Sequence, residues 1–408
     1  MATAPQRPKS APTAGPAEPD LRLAEELLMA LLSLPGGSCH EAEVLHFVRG
    51  KLVEAGVPES SLTWDQAHRR SPAGGEIGNL ICKLPGTAGA GRRLLMAHAD
   101  TVPICAGARP LRRGNFIVPA DKNTGLGVDD RAGTAVVLAT ALQIVAANRP
   151  HPPLVFFWTV QEELGLYGAR HAGLGALGKP RLAFNFDGGA PERVTIGATG
   201  GYRMAIQVDG IASHAGAAPE KGVSAIAIAA LAIADLQNAG WHGRIEKDGH
   251  LGTSNIGVFH GGDATNVVTP RVEIRAEARS HEPAFRRKIA KTIERAFRDA
   301  ARRVRNKGGS CGKVQIEGRL DYEAFALPGD DPSLLAAEVA IRAAGGAPER
   351  AISNGGLDAN WMSARGIPTV TLGCGQVNPH TPAERLDLSQ FRQACQIALR
   401  LAKADARG

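Results

Sequence analysis

The stretch "PLVFFWTVQEELG", Pro153 to Gly165, joins a nearly unbroken apolar run to two adjacent carboxylates, Glu162 and Glu163. A half-buried strand would alternate apolar and polar residues, so a continuous run reads as a strand covered on both faces. Two covered faces require helices above and below the sheet, which is the α/β class. Open α/β sheets gather their chemistry at the carboxyl ends of the strands. The two glutamates stand at such an end.

The same pattern recurs along the chain. "RRLLMAHAD" (Arg92–Asp100), "RLAFNFDGG" (Arg181–Gly189) and "IPTVTLGCGQVNPHTPAE" (Ile367–Glu384) each carry an apolar run toward ligand-capable side chains. Between and around them, "LRLAEELLMALLSLP" and "RAGTAVVLATALQIVAAN" have helical spacing. From Gly200 to about Phe325 the rhythm changes. "GYRMAIQVDG", "TNVVTPRVEIRAEAR" and "GKVQIEGRLDYEAF" read as strands, while "SAIAIAALAIADLQ" and the arginine-rich "FRRKIAKTIERAFRDAARRVRNK" read as helices. This order predicts an antiparallel sheet covered on one face by two helices. Helix, strand and helix patterns resume beyond Asp330, so the α+β module is inserted in the α/β one. The expected organisation is a tail over 1–20, a discontinuous catalytic domain over 21–199 and 327–408, and an inserted domain over 200–326.

At 408 residues with 44% hydrophobic content, the chain can bury more than one core. Its net charge is +7, but the basic residues are dispersed and only 4% of residues are aromatic, which argues against a nucleic-acid groove. "PPLVFFWTV" and "AIAIAALAIA" fall short of the roughly 20 residues a membrane span needs. The Pro- and Ala-rich first twenty residues lack the apolar core of a secretory signal. No membrane partner and a cytoplasmic location are expected. The six cysteines have neither zinc-finger spacing nor the density of a disulfide scaffold.

Taken singly, each candidate site residue has an ordinary explanation. His98 and Asp100 in "HAD" could be a surface pair, and Asp129 and Asp130 in "GVDDRAG" could cap a helix. Glu162 and Glu163 could share a turn, Asp187 could serve a tight turn, and His380 could be a loop histidine. Their joint placement argues otherwise. His98, Asp129, Glu163, Asp187 and His380 supply two imidazoles and three carboxylates near strand exits or a helix start. With Asp129 bridging, each of two divalent ions receives one histidine, one terminal carboxylate and a share of the bridge. Such a mixture suits zinc, cobalt or manganese better than calcium, and composition does not choose among the three. Glu163 reads as the ligand of its pair and Glu162 as the general base, while Asp100 can orient His98.

The motifs "HADTVP", "GVDDRAG", "QEELG", "NFDGG", "IASHAGAAPEKG", "GGDATNVV", "GGLDANW" and "NPHTPAE" resemble, in this order, the M20 family of co-catalytic metallopeptidases, particularly its peptidase T-like tripeptidase branch. The resemblance implies a zinc-peptidase-like catalytic domain with a ferredoxin-like lid and homodimerisation domain. It implies that His98, Asp129 and Asp187 hold one ion, and Asp129, Glu163 and His380 the other. Glu162 looks like the catalytic base, Asp100 like the residue orienting His98, and the Asp129–Asp130 junction like one that is commonly cis. His214 looks like the lid histidine that reaches substrate, often across a dimer interface. Asn255, Asn266 and Arg279 sit where polar substrate contacts are expected, although Arg279 could equally make a strand-surface ion pair. Asp358 looks like an organiser behind the ligands.

The chain departs from the tripeptidase pattern at "ICAGARPLRRGNFIVPADKNTG", whose Arg109, Arg112 and Arg113 read as cover for a solvent-facing connection. The implied activity is cleavage of short peptides near the free amino end, as by a tripeptide aminopeptidase. Alternatives are an amidohydrolase of N-acyl amino acids or dipeptide-like substrates and, in a different class, a noncatalytic metal-stabilised binding protein. No HExxH motif, phosphate-binding GxxxxGK[ST] loop, GxSxG nucleophile elbow or strand-to-helix GxGxxG signal is expected.

Overall fold

The computed structural model describes residues 18–147 and 150–403. The expected tail thus lies, through residue 17, outside the described residues. A nine-stranded sheet forms the larger module. Its spatial order is Leu62–Trp64, Leu80–Leu84, Leu154–Thr159, Arg93–His98, Leu182–Phe186, Val370–Leu372, Arg193–Ala198 and Phe325–Ala326, with Glu349–Ser353 also on Arg193–Ala198. Arg93–His98 is parallel to both of its neighbours, and Val370–Leu372 is parallel to Leu182–Phe186. Four strands therefore end at one edge.

The continuous apolar runs have the predicted cause. Leu95, Ala97, Phe156 and Trp158 pack with the Val128–Ala147 helix on one face, while Leu94, Met96, Val155 and Phe157 pack with Ala169, Ala172 and Met362 on the other. The Val128–Ala147 helix is long and apolar enough to cross a membrane, but 78% of its most apolar 18-residue window is buried inside the molecule. It packs against the Leu21–Ser33 and Leu388–Ala402 helices as the central core helix.

The smaller module is a five-stranded antiparallel sheet in the order Gly243–Lys247, His250–His260, Arg271–Ser280, Gly200–Asp209, Lys313–Tyr322. The Ala225–Asn238 and Pro283–Arg303 helices bury Ile228, Ala232, Ile289, Ile293 and Phe297 against one face. This is the expected separate α+β unit. Both crossings between modules meet at one side chain: Asn360 Nδ2 donates to Thr199 O at 3.0 Å and to Glu323 O at 2.7 Å.

Two hairpins were not anticipated. Gly243–Lys247 and His250–His260 are joined through Asp248 (φ 53) and Gly249 (φ 80), an Asp-Gly turn whose positive φ values match the twist of paired strands. Pro110–Arg113 and Phe116–Pro119 pair across Gly114 and Asn115, and Arg112 on this hairpin meets Glu25 at 3.0 Å. The predicted strand at "TNVVTPRVEIRAEAR" begins only at Arg271, after Pro270.

Two glycine-rich stretches carry the letters of a motif without its setting. Gly308–Gly312, "GGSCG", does carry the letters GxSxG, but it lies in the connection from the Pro283–Arg303 helix to the Lys313–Tyr322 strand. Gly173–Gly178 spells GxGxxG just before the Leu182–Phe186 strand. Neither runs from strand to helix, so neither presents a nucleophile elbow or a dinucleotide cradle.

Candidate metal centre and active site

The site is assembled by loops whose shapes have local causes. After the Leu154–Thr159 strand, Gln161 adopts φ 55 and the chain turns back so that Gly168 N donates to Val160 O at 2.9 Å. A side chain at Gly168 would lie 2.4 Å from that same oxygen, so only glycine closes the loop. Asn79 staples it, donating to Gly168 O at 3.0 Å and accepting from Val160 N at 3.0 Å.

Glu162 and Glu163 are then held by a third carboxylate. Asp100 Oδ1 accepts from Glu162 N at 3.0 Å, and its Oδ2 accepts from Glu163 N at 3.2 Å and from Ser38 Oγ at 2.6 Å. Asp100 also lies beside His98, with Oδ1 3.3 Å and its backbone oxygen 3.1 Å from Nδ1. Nε2 of His98 faces Asp129.

At the start of the core helix, the Asp129–Asp130 peptide is cis. Asp130 points inward, its Oδ1 accepting from Gly133 N at 2.9 Å and Gln376 Nε2 at 3.0 Å, and its Oδ2 from His98 N at 3.2 Å. It is the capping member of the pair. Asp129 points into the site, with Oδ1 3.1 Å from His98 Nε2 and Oδ2 3.2 Å from His380 Nε2. Its two oxygens thus face two different imidazoles. His380 (φ 62) also lies 2.8 Å from Glu163 Oε1.

Three groups of ligand atoms lie within 4.8 Å of one another: His98, Asp129 and Asp187; Asp129, Glu163 and His380; and His98, Glu162 and Glu163. The first two share Asp129. The third brings Glu162 beside them. Behind this cluster, Thr159 Oγ1 donates to Oδ2 of buried Asp358, whose Oδ1 has no hydrogen-bond partner among the described residues.

The electrostatics fit a pair of cations. Burial, reinforced by Glu163 and Asp187, pushes the Glu162 carboxyl well above its usual range despite His98. Burial and then Asp129 lift Asp187 to about 7, and burial raises Glu163 and, to about 6, Asp358. Asp129 goes the other way: burial would raise it, but the hydrogen bonds and charges of His380 and His98 together outweigh that. So many buried acids around two imidazoles call for positive charge of the kind divalent ions supply. The clustered histidines and acids indicate a dinuclear metal site.

The profile of Peptidase family M20/M25/M40 matches residues 94–404. The chain belongs to this family. Its relatives include the uncharacterised protein YqjE of Bacillus subtilis, 30% identical over 391 residues that cover 95% of this chain and 99% of YqjE. Among solved structures, a tripeptidase from Staphylococcus aureus superposes with a TM-score of 0.84 at 27% identity, covering 95% of this chain and 99% of that one. Aminopeptidase PepT from Bacillus cereus superposes with a TM-score of 0.80 at 31% identity, covering 94% and 98%. The protein is accordingly a metal-dependent M20-family hydrolase acting on peptides and related to the tripeptidase branch. An enzyme replaces the noncatalytic binding protein among the alternatives.

The other candidate residues of this M20 enzyme lie in the inserted module. His214 sits in an exposed turn bridged to Val267, and among the described residues it makes no hydrogen bond or ion pair with the metal cluster. Its Nδ1 accepts from Gly216 N at 3.2 Å and Ala217 N at 3.0 Å, which leaves the ring proton on Nε2 as a donor. The Asn266 carbonyl accepts from Ala215 N at 2.9 Å, beside that turn. Asn255 is exposed on its strand opposite Glu277. Arg279 makes a two-point pair with Glu277, both contacts at 2.9 Å, so the strand-surface ion pair is the one formed. Sequence reasoning passed over Ser38, Gln376 and Glu384. Gln376 and Glu384, each four residues from His380 in a quoted stretch, carried a local signal, whereas Ser38 did not.

Proposed function

We propose that this chain is a tripeptide aminopeptidase that hydrolyses the amide bond next to the free amino end. The observation that carries the reading is the placement of Glu162: a buried carboxyl beside both ligand triads, its backbone N–H held by Asp100. In this reading His98, Asp129 and Asp187 hold one divalent ion, and Asp129, Glu163 and His380 the other; zinc is the ion proposed, and the mixed nitrogen and oxygen donors suit cobalt or manganese as well. When bound, the ions supply Lewis acidity that lowers the pKa of water and polarises the scissile carbonyl.

Glu162 accepts the proton of the attacking water and returns it to the leaving amine. Asp100 fixes both the His98 ring and the Glu162–Glu163 turn. Asp358 organises the floor through Thr159. His214, with its Nε2 proton available, donates to the negative charge developing on the carbonyl oxygen once the inserted module closes or a partner subunit presents it. Asn255, Asn266 and Arg279 contact the polar ends of the peptide, Arg279 by exchanging Glu277 for a substrate carboxylate.

Residues 200–326 act as the lid and dimerisation module between 21–199 and 327–408. A homodimer through this module is supported by the Ala225–Asn238 helix, which buries Ile228 and Ala232 yet leaves Ile226 at 38% and Leu231 at 41% exposure. The deciding experiment supplies metal-reconstituted protein with tripeptides, dipeptides and N-acyl amino acids and identifies the products by mass spectrometry. Release of the first residue from tripeptides, faster than any other cleavage, is expected. Turnover confined to N-acyl amino acids would instead identify the amidohydrolase.

A further inference from the structure

Asp129 and His380 are far apart in the chain, yet one buried side chain belongs to the loop of the second and grips the backbone of the first. Glu384 is 1% exposed. Its Oε2 accepts from Leu126 N at 2.6 Å and Gly127 N at 2.8 Å, and its Oε1 accepts from Asp129 N at 3.3 Å. Cys105 Sγ is a weaker donor to the same carboxylate at 3.4 Å. These amides precede the core helix, where Gly127 has φ 80 and Asp129 departs from helical angles. No preceding helical turn supplies carbonyls for them, so a buried carboxylate takes that place. Hydrogen bonds to an ionised acceptor are roughly twice as strong as neutral ones.

We propose that Glu384 is the positioning residue of the bridging carboxylate: it pins the Leu126–Asp129 loop and so sets where Asp129 presents each oxygen. This rests on Asp129 being the ligand shared by both ions. The two Asp129 oxygens lie 3.1 Å from His98 Nε2 and 3.2 Å from His380 Nε2, so a shift of their backbone disturbs both sides together. Because Glu384 and His380 share one short loop, the segment that provides a ligand to one ion also fixes the ligand common to both. Asp187 differs, since it belongs to only one of the two triads.

The test uses Glu384→Gln in the full-length protein, because the amide keeps the volume and can still accept from Leu126 and Gly127 while turning an N–H toward Asp129 N. Metal-free parent, Glu384→Gln, Asp187→Asn and Asp129→Asn are titrated with cobalt(II) by calorimetry, and the visible cobalt bands are recorded. Glu384→Gln is expected to weaken both binding events by about 10- to 100-fold, the range seen for outer partners of metal ligands. Its visible bands should shift. At saturating cobalt its kcat falls while KM stays near the parental value. Asp187→Asn weakens chiefly one event.

If Asp129→Asn binds both ions as the parent does, the shared-ligand reading itself fails. If Asp129→Asn loses binding but Glu384→Gln keeps parental affinities, bands and kcat, the role of Glu384 alone is refuted. Should Glu384→Gln not fold, Glu384→Asp carries the test: the charge is kept but the reach is shorter, so an intermediate loss of both affinities is expected and parental affinities would overturn the proposal.

Discussion

Glu162 and Glu163 are neighbours with different surroundings, and the difference supports the different chemistry proposed for them. Glu163 reaches His380 at 2.8 Å, whereas the Glu162 carboxyl has no side-chain hydrogen bond among the described residues. Replacing Glu162 by Gln should therefore leave metal content unchanged and lower kcat by roughly 10²- to 10⁴-fold, the usual contribution of a general base. Metal analysis beside turnover separates this from simple ion loss. Parental turnover would remove Glu162 from the mechanism.

Asp187 and His380 give metal binding a pH dependence. Asp187 is raised from 3.8 to about 7, so in the metal-free fold the protonated carboxyl is favoured, and the stability it contributes, complete below pH 4, is lost as pH rises toward 7. An ion binds the deprotonated carboxylate. Binding should release protons below about pH 7, and apparent affinity should climb as pH rises through that window. His380, raised to about 10 by Asp129 and Glu163, extends the trend upward because it also must shed its proton to bind an ion. Calorimetry in buffers of different ionisation heat measures the released protons. An affinity independent of pH would contradict this picture.

Elements were legible where burial was uniform and obscure where it was not. The Leu154–Thr159 and Arg93–His98 strands announce themselves because both faces are covered, so every position must be apolar or nearly so. The hairpin at Gly243–His260 hid because most of its side chains are exposed and only its Asp-Gly turn was diagnostic. The Pro110–Pro119 hairpin hid for the same reason, behind its arginines. Asn360 shows another limit. Nothing in "GGLDANW" reveals that one amide clasps both chain crossings, because its acceptors, Thr199 O and Glu323 O, are 161 and 37 residues away. Asn360→Ala leaves one buried and one part-buried carbonyl without that donor and should cost roughly 1–3 kcal/mol. Chemical denaturation checks the cost, and faster hydrogen exchange around residues 199–202 and 322–324 is the expected local sign. Unchanged exchange there would mean that the clasp does not hold the crossings.

At the scale of the molecule, the two modules were readable from the change in hydrophobic rhythm, and the five ligand candidates from where they leave the apolar strands or begin the core helix. The supports were not readable. Ser38, Gln376 and Glu384 act through contacts between distant segments, which a single Ser, Gln or Glu in the sequence does not specify. The exposed apolar side of the Ala225–Asn238 helix is the surface on which the proposed homodimer rests. Ile226→Glu combined with Leu231→Glu should convert a dimer to monomer in analytical ultracentrifugation without unfolding either module, since neither side chain is in the core. A parental sedimentation profile would place the interface elsewhere.

Everything in the catalytic account depends on five side chains from separate loops enclosing two ions with one carboxylate between them. The most direct measurement is anomalous diffraction at the zinc edge from crystals of zinc-reconstituted protein. Two peaks about 3.5–4 Å apart are predicted, one touching His98 and Asp187, the other Glu163 and His380, with an Asp129 oxygen on each. A single peak, or a pair that leaves Asp129 uncoordinated, would contradict it.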